Sequence, residues 1–308
     1  MIHALDGTPA SPLTFGTMQF GGNADASASA AMWEACREAG ITHFDTAWVY
    51  TGGASEEITG KLAHAERESL IIATKAAYTG GAGDTNIRAQ VDTSRERLGM
   101  DVLDILYLHR FDDDTPLEES FETLASLQSD GTIRYIGVSN FAAWQVMKAQ
   151  SVAATLGTRI DIIQPMYSLV KRQAEVEILP MAQDQGLFVA PYSPLGGGLL
   201  TGKYAAGGSG RLTEDARYNA RYAPEIMHEV AKGLSSIAQR EGVSPATLAV
   251  AWAASHRSRP APIISGRSAE QLAPSLAASG MTLNADLLAE ITALSPAPAP
   301  ATDRLEEA

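Results

Sequence analysis

The chain has 308 residues, 45% of them hydrophobic and 19% charged, enough to bury a sizeable core without disulfide or metal staples. Its one cysteine, Cys36, excludes an internal disulfide and points to a reducing compartment. A formal net charge of −13 repels phosphate backbones and anionic lipid surfaces, which argues against nucleic acid and membrane as partners.

The first residues, MIHALDGTPASPL, lack the basic-then-apolar order of a secretory signal. No apolar run approaches the ~20 residues that cross a bilayer. A cytoplasmic location is the expectation. Along the chain, short apolar runs rich in β-branched and aromatic residues read as strands: 13–20, 42–47, 70–76, 104–109, 135–140, 161–168, 187–193 and 261–266. Between them lie segments with helical spacing. In 28–40, Met32, Cys36 and Ala39 form a stripe and Gly40 a stop. Segment 55–65 opens on Ser55 as a cap, with Glu56 and Glu57 in the first turn. In 115–131, Thr115 is the expected N-cap, Pro116 the first helical residue and Gly131 the stop.

Eight strands alternating with helices predict an α/β fold, a parallel eight-stranded (β/α)8 (TIM) barrel over residues 1–294. The rival, an open doubly wound sheet, would carry a G-x-G-x-x-G turn after its first strand, and GTMQFGG lacks that spacing. Residues 194–222, after the seventh strand, are too long and glycine-rich for a plain connection and read as a functional loop. Residues 295–308 form a Pro/Ala-rich and then charged tail, expected to be extended.

Side chains alternate along a strand, so parity is informative. His43 and Asp45 share a face, as do Ile71, Ala73 and Lys75, and Ile105, Tyr107 and His109. Asp45, Lys75 and His109 then point into one barrel mouth, at the end where barrel enzymes keep their chemistry. Singly, each has a plainer role: a turn-forming Asp, a solvated Lys, a hydrogen-bonded core His. Together with Tyr50 in the following loop they make a proton-donor site. Lys75 assists Tyr50 as general acid/base, Asp45 holds Lys75, and His109 orients a substrate oxygen.

At these residues the sequence resembles the aldo-keto reductase superfamily, and within it the branch of potassium-channel beta-subunit-like proteins. HFDTAWVYTGGASEEITGKLA, LIIATK, ILYLHRFD, RYIGVSNF, IIQPMYS, APYSPLGGGLLTGKY and PIISGRSAEQL follow one another in the family's order. The resemblance implies a catalytic tetrad of Asp45, Tyr50, Lys75 and His109, and NADPH bound without a Rossmann fold, with NADH as the alternative. It places the nicotinamide carboxamide at Ser139, Asn140 and Gln164, with Tyr192 stacked on the ring. It places the pyrophosphate under Ser193, Leu195, Gly197 and Lys203, and the adenosine 2′-phosphate at Arg267 and Ser268 with Gln271 nearby. Ser265, Gly266 and Ser275 depart from the residues common there.

The implied reaction reduces the carbonyl of a small aldehyde or ketone, sugar-like ones included, with alcohol oxidation as the reverse reading. Phe20, Trp48 and Phe111 are expected in the pocket wall, with Gln19 and Arg110 as polar candidates. Arg110 suits either an anionic substrate or a local carboxylate, Asp112 or Asp114. Arg211, Arg217 and Arg221 suit either phosphate or solvent. Two rivals remain: a nicotinamide-sensing regulatory subunit, and a different barrel enzyme such as a phosphosugar isomerase or metal-dependent lyase. The latter needs a ligand set that His3, His43 and His64 do not form. Oligomeric state is open.

Overall fold

The computed structural model describes residues 2–204, 207–304 and 306. Positions 205 and 206 of the expected loop, and 305, 307 and 308 of the tail, lie outside the described residues. The strands are β1 (Thr14–Gly16), β2 (His43–Asp45), β3 (Ile71–Ala76), β4 (Leu103–Leu108), β5 (Ile133–Ser139), β6 (Ile162–Gln164), β7 (Phe188–Val189) and β8 (Ile263–Ile264). All pair in parallel, in the order β7-β6-β5-β4-β3-β2-β1-β8. The two outer strands meet. Ala261 N donates to Val189 O and Ile263 N to Pro191 O, both at 2.8 Å, so the sheet closes as a (β/α)8 barrel.

The helices are α1 (Ala26–Glu38), α2 (Ala54–Ala63), α3 (Asp84–Leu98), α4 (Leu117–Ser129), α5 (Ala143–Thr155) and α6 (Ile178–Asp184). They continue with α7 (Arg211–Glu214), α8 (Ala216–Arg221), α9 (Glu225–Glu241), α10 (Pro245–Ala254), α11 (Ala269–Leu276) and α12 (Ala285–Ala293). Several start on side-chain caps: Asp25 accepts from Ala28 N, Ser244 from Ala246 N and Asn284 from Leu287 N.

Two of the expected caps are displaced. Helix α2 begins after Gly53, which takes φ 104°, so Ser55 is already inside the helix. Its buried hydroxyl bonds instead to Thr17 and Thr46, a tertiary use that overrides the local one. Pro116 holds the N-cap position of α4, and the Thr115 hydroxyl donates to the Asp112 carboxylate at 2.6 Å.

Strand parity divides the core into two. One face of the strands, with Ile71, Ala73, Ile105, Tyr107, Ile162, Ala190 and Ile263, fills the barrel interior. The other face packs outward against helices, as where Trp33 of α1 stacks on Phe44 of β2 at 3.9 Å. Gly137 of β5 lies against the Tyr107 ring, and a Cβ there would overlap it, so the glycine makes room for the largest interior side chain. Ile2 and Ala4 join the interior cluster, and His3 bridges Pro9 in an antiparallel turn. Arg134, near the start of β5, donates to His3 O at 2.9 Å. This hairpin therefore seals the end of the barrel opposite the mouth. The tail is anchored where it begins: Arg172 donates to Ser295 O at 2.8 Å.

Candidate active site

The mouth is built where β2, β3 and β4 end. The register sets Asp45 beside Ala73 and Lys75 beside Tyr107, and the pleat turns Asp45 and Lys75 to the interior. Both are buried. Lys75 Nζ lies 2.5 Å from Asp45 Oδ1, donates to Thr46 O at 2.7 Å and to Tyr50 Oη at 3.2 Å. Gln164 Nε2 holds the second oxygen, Asp45 Oδ2, at 2.8 Å.

Tyr50 opens a short turn, Tyr50–Gly53, in which Thr51 takes φ 48°. The Thr51 hydroxyl donates to Phe20 O at 2.8 Å and accepts from Ser55 N at 3.0 Å, which offsets the strained backbone. The His109 imidazole meets the Tyr50 ring edge-on, centroids 5.8 Å apart. Asp45, Tyr50, Lys75 and His109 thus converge on one point.

Their electrostatics follow from burial and pairing. Burial opposes the Lys75 charge, but the Asp45 carboxylate and Tyr50 outweigh it and hold the ammonium above its ordinary range. Burial pushes the Tyr50 phenol up, and Lys75 works against that rise. Burial, then Lys75 and Arg110, bring His109 down to about 3, so its imidazole is neutral at physiological pH and keeps one N–H to donate.

A second set of side chains lies beside these four. Ser139, ending β5, donates to Gln164 O at 3.1 Å. Asn140, with φ 59°, donates to His109 O at 2.9 Å and accepts from Tyr192 Oη at 2.7 Å. Beyond β7 the backbone turns left-handed at Ser193, Gly196, Gly197 and Gly198. Leu195 O accepts from Gly198 N and Leu200 N within that turn. Lys203 folds back toward Gly198 and Gly210, its Nζ 4.9 Å from the Tyr204 ring centre. Such a run, with an ammonium beside it, has the donor chemistry of an anion cradle. At the start of α11, Ser268 caps Gln271 N at 3.3 Å and Gln271 Oε1 accepts from Arg267 N at 2.7 Å. The Arg267 guanidinium pairs with Glu214 of α7 at 3.2 Å, a partner the sequence reading missed. Nothing in the spacing brings two residues so far apart together.

The profile of the aldo/keto reductase family matches residues 12–296. The chain belongs to the aldo/keto reductase family. It is 34% identical to a probable voltage-gated potassium channel subunit beta of Oryza sativa subsp. japonica, over 81% of each chain. It is 33% identical to the uncharacterized oxidoreductase YrpG of Bacillus subtilis (strain 168), over 95% of this chain and 94% of that one. Aflatoxin B1 aldehyde reductase member 2 of Rattus norvegicus is 38% identical over 65% of this chain and 57% of its own.

In this aldo/keto reductase the residues expected in the pocket wall separate. Phe20 is fully buried with its ring 5.6 Å from Phe15, in the packing between sheet and helices. Gln19 is buried as well, its amide oxygen accepting from Asn23. Trp48 is half-buried, with the Arg97 guanidinium 5.4 Å from its ring. Phe111 packs edge-on against Phe141 at 5.1 Å and near exposed Trp144 at 5.9 Å.

Arg110 forms no ion pair with Asp112 or Asp114 among the described residues. Its guanidinium lies 5.3 Å from the ring of Tyr78, which in turn sits 4.8 Å from His109. Tyr78 and Trp144 are aromatic residues at the mouth that strand parity does not reach, because both lie beyond the strand ends. Arg217 pairs with Asp215 at 2.9 Å, while Arg211 and Arg221 lie 5.2 Å and 5.3 Å from the Tyr218 ring. Among the described residues, no helix is long and apolar enough to cross a membrane.

Proposed function

We propose that this protein is an NADP(H)-dependent oxidoreductase that reduces the carbonyl of a small aldehyde or ketone, with Tyr50 as general acid. The observation that carries the reading is the placement of one buried ammonium, Lys75, between the Asp45 carboxylate at 2.5 Å and the Tyr50 hydroxyl at 3.2 Å. Asp45 keeps Lys75 charged. Lys75 lowers the cost of forming the Tyr50 phenolate, so the phenol gives up its proton more readily than burial alone would allow.

Neutral His109 and the Tyr50 hydroxyl both offer donors to a carbonyl oxygen, which polarise it and stabilise the negative charge that grows there. NADPH supplies a hydride when bound. The residues present fit it. Ser139, Asn140, Gln164 and Tyr192 lie beside the proton donor, the left-handed turn with Lys203 suits a pyrophosphate, and Arg267 suits a 2′-phosphate. NADH remains open as a weaker partner, because Arg267 shares its guanidinium with Glu214.

The test follows NADPH absorbance with a panel of aldehydes and ketones, for the protein and its Tyr50→Phe variant. Turnover that falls about 10²–10⁴-fold in Tyr50→Phe, with NADPH binding retained, is the expected result. Equal turnover in the two would overturn the acid role. A second reading draws on the rice relative named as a channel subunit: a nicotinamide-sensing subunit with little turnover. NADPH binding without turnover of any carbonyl would favour it.

A further inference from the structure

Tyr50 sits in a turn, not on a strand, so something must hold the turn over the mouth. Arg97, at the end of α3, touches both of its flanks. Arg97 Nη1 donates to Trp48 O at 3.0 Å, and the guanidinium lies 5.4 Å from the Trp48 ring. On the other flank it presses on Gly53, where a Cβ would come within 2.5 Å of Arg97 Cζ.

The guanidinium is itself held. Arg97 Nη1 donates to Glu56 Oε2 at 3.1 Å, and Glu56 is fully buried. The other oxygen, Glu56 Oε1, accepts from the Thr74 hydroxyl at 2.6 Å. Thr74 precedes Lys75 on β3, and Trp48 N donates to Lys75 O at 3.1 Å. The chain of contacts therefore runs from the strand that carries Lys75, through Glu56 and Arg97, to both sides of the turn that carries Tyr50.

We infer that Arg97 and Glu56 are positioning residues for Tyr50, setting its hydroxyl at hydrogen-bond distance from Lys75. The inference rests on the acid role proposed for Tyr50. Neither group reaches the convergence point of the four mouth residues, and both Glu56 oxygens are already engaged, by Arg97 and by Thr74. Arg97 Nη1 meets both the Trp48 carbonyl and the Glu56 carboxylate while the guanidinium lies over the indole, and a planar cation suits that combination. A lysine offers the charge and the N–H donors but not the planar face that stacks on the indole.

The test compares Arg97→Lys, Arg97→Met and the pair Arg97→Met/Glu56→Gln, which leaves no unpaired buried charge and so protects folding. The measurements are kcat, NADPH affinity by fluorescence titration, and the solvent deuterium isotope effect on kcat. The expected outcome for the Met variants is a kcat about 10- to 100-fold lower, since a displacement near 1 Å costs about that much. NADPH affinity stays within about twofold, and the solvent isotope effect rises because proton donation has become slower. Arg97→Lys falls between. An unchanged kcat would overturn the inference. So would a joint loss of kcat and NADPH affinity, or a lower kcat with no rise in the isotope effect, since either marks general loosening of the fold. Tyr50→Phe, assayed alongside, separates the two claims: full activity there removes the acid role itself, whereas loss there with normal Arg97 variants removes only the positioning role.

Discussion

Lys75 and Asp45 form the buried ion pair on which the mouth depends most. Removing one partner leaves the other charge without compensation in a site closed to water, which costs about 3–5 kcal/mol. Lys75→Met is accordingly expected to lower the urea midpoint well beyond what its packing alone explains. The double variant Lys75→Met/Asp45→Asn restores much of the loss, because no lone charge remains. Equal destabilisation by the single and double variants would mean that the pair contributes little electrostatically. Asp45, Lys75 and His109 were legible in the sequence because the strand repeat of two residues puts them on one face. Glu56 and Arg97 were not legible. They lie on helices whose facing sides are chosen by tertiary packing, and Glu56 reads locally only as a favourable charge in a first turn. The side taken by Phe20 was not legible for a related reason: it follows the end of β1, where the chain turns and parity stops.

Among the elements, the segment after β7 is the one whose role the residues shape most openly. Its glycine content and length marked it, but its short helices α7 and α8 carry no apolar periodicity to announce them. Among the described residues, Glu214–Arg267 is the one ion pair that ties this segment to the barrel body. The same guanidinium is the proposed seat of a 2′-phosphate, so Glu214 competes with that phosphate. Glu214→Gln should therefore tighten NADPH binding by up to about fivefold, the most an exposed ion pair of ~0.2–1 kcal/mol allows, while NADH affinity changes little. Fluorescence titration with both cofactors checks it. A parallel change for the two cofactors would show that Glu214 acts on the segment's position and not on the phosphate. Weaker NADPH binding would show that it orients Arg267.

For the whole molecule, the eight-fold alternation of strand and helix was readable because each strand is a short apolar run bounded by turn residues. The N-terminal hairpin was not, since MIHALDGTPA has too few residues to show a period, and its place under the barrel depends on Arg134 and Tyr135 far along the chain. Closing the barrel has an acid–base consequence. His43 and His109 both lie inside it, and burial, reinforced by Lys75, brings each down to about 3.

Unfolded, each histidine titrates near pH 6.5. Between about pH 6.5 and 3 the unfolded chain therefore binds protons that the folded chain refuses. Stability is at its full value above the unfolded pKa and is lost as pH falls through this window, by up to ~1.4 kcal/mol per pH unit for each histidine. His43→Gln removes one of the two titrations while keeping a polar partner for the Thr14 hydroxyl, 2.9 Å from His43 Nδ1. Urea unfolding between pH 7 and 5, above the range where carboxylates dominate, should show stability falling with acidity in the wild type and falling by about one proton less in His43→Gln. If both proteins show the same slope, His43 titrates alike in the folded and unfolded chains, and the barrel interior there is wetter than its packing implies.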